Sequence, residues 1–372
     1  MVRAAVCTEL GAPLRVQELD LAAPRAGEVQ VRIRASGICA SDISVQKGSL
    51  PSPLPLVLGH EGAGVVEAVG EGVGHLAVGD HVAVCAMPQC GECYRCRRGQ
   101  PGLCELGDPV LMTAALLDGT QRFRGPDGAP VGQMVAAGTF AEQVVVPAIS
   151  VVKLHPDMPF AAASLLGCAV LTGAGAAMNT ASIRAGDTVV VLGCGSVGLM
   201  AIQGARLSGA GRVVAVDLLP AKLDIAAKVG ATDTLAAGEV DVLAAVKDLT
   251  LGRGADVAIE CAGAQATVDQ AIRVTGKGGE VVFVGAGTKD VRINVPQFTG
   301  LSGPAKTFKG CLFGSADTHR DVPRLVEHYL AGELHLDLLV SRTYGLDAIN
   351  DGLAAVSAGE VISAVVQFQE DS

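Results

Sequence analysis

The sequence predicts an α/β protein in which a doubly wound parallel sheet is joined to a second, mostly β domain. Three observations predict it. From Thr188 onward apolar strand-like runs alternate with helical stretches, a G-x-G-x-x-G closes the first of those runs, and the preceding part holds short β-runs broken by Gly, Pro and Asp. At 372 residues the chain also exceeds the size at which one hydrophobic core keeps growing, so two domains are expected.

In chain order, residues 2–7, 28–35, 64–69 and 80–85 read as strands bounded by turn residues. The uncharged stretch 160–178 is long enough to raise the question of a membrane span. Its Gly167, Cys168, Thr172, Gly173 and Gly175 favour a buried, interrupted helix instead, so no membrane association is expected. Then come a strand at 188–192, a helix at 197–207, a strand at 212–216 and a helix at 222–229. Further strands follow at 256–259 and 280–284, and a polar helix at 322–331 leads into a mixed tail. Neither an internal repeat nor a low-complexity linker is visible.

Composition narrows the function. With 49% hydrophobic and 18% charged residues the chain can bury a large core and is not disordered. A formal net charge of -10 argues against a nucleic-acid binder, which needs a dense basic surface. Residues 1–6 pass into charged residues by Glu9 without an apolar core and cleavage site, so no secretory signal is read and a cytoplasmic location is expected. In that setting eleven cysteines point to metal ligation or buried thiols rather than disulfides.

Gly193-Cys194-Gly195-Ser196-Val197-Gly198 follows an apolar strand directly and opens a helix. Glycines in that context allow a tight turn and bring backbone N–H groups against a pyrophosphate at the helix N-terminus. Asp217 ends the next strand, nineteen residues after Gly198, where an acid can accept bonds from ribose hydroxyls. The same acid repels a 2′-phosphate, so NAD is expected over NADP. The alternative, a ligand-free turn with Asp217 as a helix cap, leaves the coincidence of strand, turn, helix and acid unexplained.

Cys90-x2-Cys93-x2-Cys96-x7-Cys104 places four thiols in fifteen residues, with Gly91, Gly99 and Gly102 letting the chain curl. Four thiolates suit a closed tetrahedral structural zinc, and Arg95, Arg97 and Arg98 are expected to offset part of its negative charge. A redox disulfide pair or a nucleic-acid zinc knuckle is the competing reading, the latter weakened by the acidity of the chain. Cys39, His60 and Cys168 are dispersed, and each alone reads as an ordinary buried thiol or satisfied imidazole. The residues by themselves do not join these three.

Taken together, Gly59-His60-Glu61-Gly62-Ala63-Gly64-Val65-Val66, the four-cysteine lobe, Gly167-Cys168, the Gly193 to Gly198 turn and Asp217 resemble the zinc-containing medium-chain alcohol dehydrogenases, in that family's order over nearly the whole chain. Asp118-Gly119-Thr120-Gln121-Arg122-Phe123 adds a resemblance to the longer, liver-type branch, and aryl-alcohol dehydrogenases are also similar. The resemblance implies a GroES-like catalytic domain over 1–170 with its zinc lobe at about 90–104, a Rossmann NAD-binding domain over 171–312, and a return of 313–372 to the catalytic domain. It implies two zinc ions per chain: a catalytic one on Cys39, His60 and Cys168, and a structural one on Cys90, Cys93, Cys96 and Cys104. Asp42 then orients the ligating imidazole, Glu61 stands behind the metal as an exchangeable ligand, and Ser41 accepts the proton of an alcohol whose hydride passes to the nicotinamide. The coenzyme is held by Gly193, Gly195, Ser196, Val197, Gly198, Asp217 and Lys222. A homodimer acting on small alcohols and aldehydes is implied as well.

Some positions depart from the pattern. Basic residues common in the family after the first ligand and near the C-terminus are replaced by Ala40 and Ser363, which puts the strength of coenzyme binding in question. The histidine of a proton relay is replaced by Ser44, and a bulky aromatic four residues before Cys90 by Ala86, followed by Met87. The last change predicts a roomier pocket for primary alcohols that are bulky or aromatic, unless Met112, Met134 or Phe140 refills it. Formaldehyde-oxidising relatives, which take a thiol adduct, rank second: Gly107-Asp108 stands where they carry an arginine, and the loop Ser49-Leu50-Pro51-Ser52-Pro53 lacks acids. A catalytically silent zinc-binding structural or redox-sensing protein is the reading from another class.

Overall fold

The computed structural model describes residues 1–369 and divides the chain into two compact units, Met1–Cys168 with the segment from Asp317 onward, and Ala169–Ala316. In the first, strand Glu28–Ile38 turns Val29, Val31, Ile33 and Ala35 into the core while Gln30, Arg32 and Arg34 stay half-buried, the period-2 alternation of a sheet with one covered face. Each of the valine and isoleucine side chains contributes about 1.5–3 kcal/mol when fully buried. The strand lies within a seven-stranded sheet ordered Val151–Lys153, His81–Val84, Glu61–Val69, Glu28–Ile38, Ser363–Gln367 and Val340–Tyr344, with Gln143–Pro147 also paired to Glu28–Ile38.

Glu28–Ile38 runs three residues beyond its expected end because Gly37 pairs with Glu61 and Ile38 with Ala364. The C-terminal segment, a mixed tail that the resemblance returns to the catalytic domain, supplies a strand to this sheet. Val2–Cys7, Arg15–Leu21, Phe123–Arg124, Pro130–Gln133 and Leu56–Val57 close a small barrel alongside. Arg122, 1% exposed, is paired with Glu28 and with Asp118, whose carboxylate oxygen accepts from Nη2 at 2.8 Å. An unpaired guanidinium at such depth would be strongly destabilising, so the Asp118 to Phe123 string has a structural task here.

The second unit is a six-stranded, all-parallel sheet ordered Asp233–Ala236, Arg212–Asp217, Thr188–Leu192, Ala255–Glu260, Thr275–Phe283 and Thr307–Gly310. In chain sequence that is 3-2-1-4-5-6, the doubly wound order, and direction reverses beside Thr188–Leu192. Val190, Leu192, Val214, Val216, Ala258 and Val281 share one core. The outer strands Asp233–Ala236 and Thr307–Gly310 escaped the sequence reading because they are short and only partly buried.

Residues 160–178 fall into short helical pieces, Phe160–Ser164, Leu165–Gly167, Ala169–Gly175 and Ala176–Thr180. The break falls at Cys168, whose φ of -144° and ψ of -73° are not helical. Among the described residues no single helix is long and apolar enough to cross a membrane.

Candidate metal centre and nucleotide site

Three separate stretches of the first unit deliver Cys39, His60 and Cys168 to one place, where their ligand atoms and a Glu61 carboxylate oxygen all lie within 4.8 Å of one another. Cys39 caps helix Ala40–Gln46 in an extended conformation, at the end of strand Glu28–Ile38. His60 follows Gly59, whose φ of +88° disfavours a side chain and whose Cβ would stand 2.6 Å from the Phe140 backbone nitrogen. Cys168 occupies the break between helical pieces.

Asp42, wholly buried, organises this cluster. Its Oδ2 accepts the Cys39 N–H at 2.9 Å, and its Oδ1 accepts the Gly59 N–H at 3.0 Å and lies 3.1 Å from His60 Nδ1. A carboxylate only accepts, so Nδ1 carries a hydrogen and Nε2 is the nitrogen that faces the cluster. Ser41 Oγ lies 3.1 Å from that Nε2. Ser44, by contrast, donates its hydroxyl to the Ala40 carbonyl at 3.0 Å, an intrahelical bond.

Burial and mutual hydrogen bonds perturb the ionisable groups of this cluster. The Cys39 thiol is held well below its ordinary range, first by a hydrogen bond from Cys168, while that bond and burial push Cys168 up. Burial raises the Glu61 carboxyl well above the usual range. Burial opposes protonation of His60, but the charge and hydrogen bond of Asp42 outweigh it and hold that imidazole well above its ordinary value. Two thiols, one imidazole and a carboxylate are donors of the kinds that zinc takes.

The cysteine lobe is closed by comparison. Sulfur separations are 4.0 Å for Cys90 to Cys96, 4.0 Å for Cys93 to Cys104 and 3.6 Å for Cys104 to Cys90. Tetrahedral zinc with Zn–S bonds of about 2.3 Å requires sulfurs about 3.8 Å apart, so the four thiols fit that ion. Backbone N–H groups of Cys93, Cys96 and Cys90 point at the sulfurs of Cys90, Cys93 and Cys104. Amide bonds from Glu105 and Cys96 bring the Cys93 thiol down to about 6. The guanidiniums of Arg95 and Arg98 stand over the exposed Tyr94 ring, 5.6 and 5.3 Å from its centroid, a contact the sequence reading did not anticipate. All eleven cysteines are free of disulfides.

In the second unit the three turn glycines have different reasons. Gly193 has φ +93°, and a Cβ on Gly198 would lie 1.7 Å from the Gly193 carbonyl oxygen, so helix and turn touch backbone to backbone. At Gly195, the cap of helix Ser196–Leu207, no described protein atom lies within 4 Å of a Cβ. The fold does not need that glycine; a ligand approaching the turn would. Val197 lies in the first turn of the same helix.

Asp217 Oδ2 accepts the Cys194 N–H at 2.7 Å and Oδ1 the Leu219 N–H at 2.9 Å, so the acid braces the turn. Leu219, not Asp217, caps helix Pro220–Lys228, which removes the helix-cap alternative. Lys222 is near enough for its charge to act on the Cys194 thiol. Glu260 escaped the sequence reading although it too is an acid ending a strand. Buried, it accepts from the amides of Ala262 and Gly263 and from the Thr267 hydroxyl at 2.7–2.9 Å, fixing the loop whose Ala262 lies against Gly193.

Of the positions that depart from the pattern, Ala40 is exposed, Ser363 is buried in strand Ser363–Gln367, and Ala86 is buried with its N–H on the Gly167 carbonyl at 3.2 Å, one residue from Cys168. Met134 and Phe140 are committed to a hydrophobic core, Met112 is 62% exposed, and Met87 covers Gly107.

Comparison with known proteins agrees with this geometry. The family model of the alcohol dehydrogenase GroES-like domain matches residues 25–156, and that of zinc-binding dehydrogenases matches 196–330. The NDMA-dependent alcohol dehydrogenase of Amycolatopsis methanolica is 39% identical over 99% of both chains. The crystal structure of an alcohol dehydrogenase zinc-binding domain protein from Burkholderia ambifaria superposes with a TM-score of 0.95 at 35% identity, covering 99% of each chain. Benzyl alcohol dehydrogenase from Acinetobacter calcoaceticus does so with a TM-score of 0.89 at 31% identity, again over 99% of each. Matched in both units and by relatives along its full length, the chain belongs to the zinc-dependent medium-chain alcohol dehydrogenases and is a zinc-dependent alcohol oxidoreductase.

Proposed function

We propose that this enzyme interconverts primary alcohols, bulky and aromatic ones preferred, with their aldehydes, using NAD and two zinc ions per chain. The observation that carries the reading is the meeting of Cys39, His60 and Cys168 with Ser41 Oγ 3.1 Å from His60 Nε2. A zinc ion on those three ligands supplies Lewis acidity to a substrate oxygen, and NAD supplies the hydride acceptor. Ser41 takes the hydroxyl proton as it releases its own to solvent, Asp42 fixes the imidazole's orientation, and Glu61 stays in reserve. Gly193 to Gly198 takes the pyrophosphate at the N-terminus of helix Ser196–Leu207, and Asp217 with Lys222 receives the adenosine ribose. Cys90, Cys93, Cys96 and Cys104 hold the second zinc.

Substrate preference rests on Ala86, a methyl group beside the Gly167-Cys168 backbone where liver-type enzymes place an aromatic ring. The similarity to a benzyl alcohol dehydrogenase supports the same preference. A homodimer in the cytoplasm completes the reading; Ile293 and Phe298, 53% and 70% exposed, are apolar surface that such association would cover.

The test is a panel of alcohols and aldehydes assayed with NAD and with NADP, including formaldehyde with a thiol and an arm with added NDMA. Wild type should use NAD and favour benzyl alcohol over ethanol. Ala86→Phe should reduce the ratio of their kcat/KM values at least about tenfold, or about 1.4 kcal/mol of discrimination. Preference for NADP, for ethanol or for the thiol adduct contradicts the corresponding part.

A further inference from the structure

We propose that Gly37 is a positioning residue: by having no side chain it leaves the Glu61 carboxylate a slot to draw back into, keeping the fourth coordination position at Cys39, His60 and Cys168 open. The inference rests on the reading that a metal ion sits on those three side chains. Gly37 lies inside strand Glu28–Ile38, and its φ is outside the left-handed region, so its backbone would accept any residue. Glycine within a strand is less favourable than alanine, because it loses more conformational freedom on folding. Backbone conformation therefore does not account for it.

Space does. Gly37 is paired directly with Glu61 across the sheet, and a Cβ on it would stand 2.2 Å from Glu61 Oε2, 3.2 Å from Glu61 Cβ and 2.9 Å from Leu165 Cδ2. Glu61 is 1% exposed, so a displaced carboxylate has no solvent to enter. The ligand atoms of Cys39, His60 and Cys168 are already within 4.8 Å of one of its oxygens. A methyl group in the slot pushes the carboxylate across that group and turns a reserve ligand into a resident one. Three protein ligands leave a position for substrate, whereas four close the site.

The experiment uses the full chain loaded with cobalt(II), with imidazole as the probe of the open position and the visible absorption of cobalt as readout. The closed cysteine lobe does not respond to imidazole. Gly37→Ala should need at least about tenfold more imidazole than wild type. Gly37→Ala/Glu61→Ala should return to within about threefold of Glu61→Ala alone, because the two positions act through one contact. Gly37→Ala/Leu165→Ala should remain weak. Indifference of Gly37→Ala, persistent weakness of the Glu61 double variant, or recovery in the Leu165 double variant overturns the proposal. If Gly37→Ala does not fold, Gly37→Ala/Glu61→Ala must fold; failure of both assigns the glycine to Leu165 packing and overturns it too. A wild-type spectrum that ignores imidazole instead overturns the underlying metal reading, and the proposal with it.

Discussion

Replacing Asp42 with asparagine changes one atom and the charge, and the structure sets how much that costs. The carboxylate serves three donors: the Cys39 N–H through Oδ2, and the Gly59 N–H and His60 Nδ1 through Oδ1. An amide has one accepting oxygen. If it keeps Gly59 and His60, its NH2 faces the Cys39 N–H, and that buried donor is left unsatisfied at about 1–3 kcal/mol. The two remaining bonds fall from charge-assisted to neutral, about 1 kcal/mol each. The metal-free Asp42→Asn protein should therefore lose about 3–5 kcal/mol, a large part of the roughly 5–15 kcal/mol typical of a folded domain. A neutral, weaker partner for the ligating imidazole should also lower zinc affinity about 10–100-fold. Guanidinium unfolding of the metal-free protein and chelator competition for zinc measure the two effects. A stability change below about 0.5 kcal/mol together with zinc affinity inside threefold of wild type would show that Asp42 does not organise the cluster.

Metal analysis should find about two zinc ions per chain in wild type and about one in folded Cys168→Ser, whereas Cys93→Ser should lower the unfolding temperature because a structural zinc contributes folding energy directly; one ion or none in wild type contradicts the assignment. Ser41→Ala should lower kcat for alcohol oxidation by about a hundredfold or more, as loss of a proton acceptor does, while Ser44→Ala, whose hydroxyl is tied to the Ala40 carbonyl, changes it less than about threefold. Equal losses would make Ser44 a relay member. Asp118 is held well below the usual carboxylate range: burial opposes this, and hydrogen bonds from Arg122 and Thr120 outweigh it. A depressed folded value means stability present above the unfolded value near 3.9 and lost as pH falls below it. Asp118→Asn should flatten the loss of stability on acidification below about pH 4, checked by urea unfolding at stepped pH; an unchanged slope refutes it.

The local chemistry of this protein was legible along the chain, because it depends on residues close in sequence. The glycine turn proposed to take the coenzyme needs a strand, glycines and a helix close together in sequence, and Thr188–Leu192 through Ser196–Leu207 supplies them in series. The cysteine lobe likewise folds on itself between Cys90 and Cys104, so spacing alone singled out four thiols that the fold brings together. Cys39, His60 and Cys168 were joined only through a resemblance, since their meeting depends on Asp42 spanning Cys39 and Gly59 and on a helix broken at Cys168. The strand Ser363–Gln367 was invisible for the same reason: its partners Ala35 to Ile38 lie more than three hundred residues away. The space opposite Gly37 belongs to tertiary structure altogether. In the sequence it is one glycine among 48, and only strand register, which sets Glu61 across from it, shows what fills the missing side chain's place.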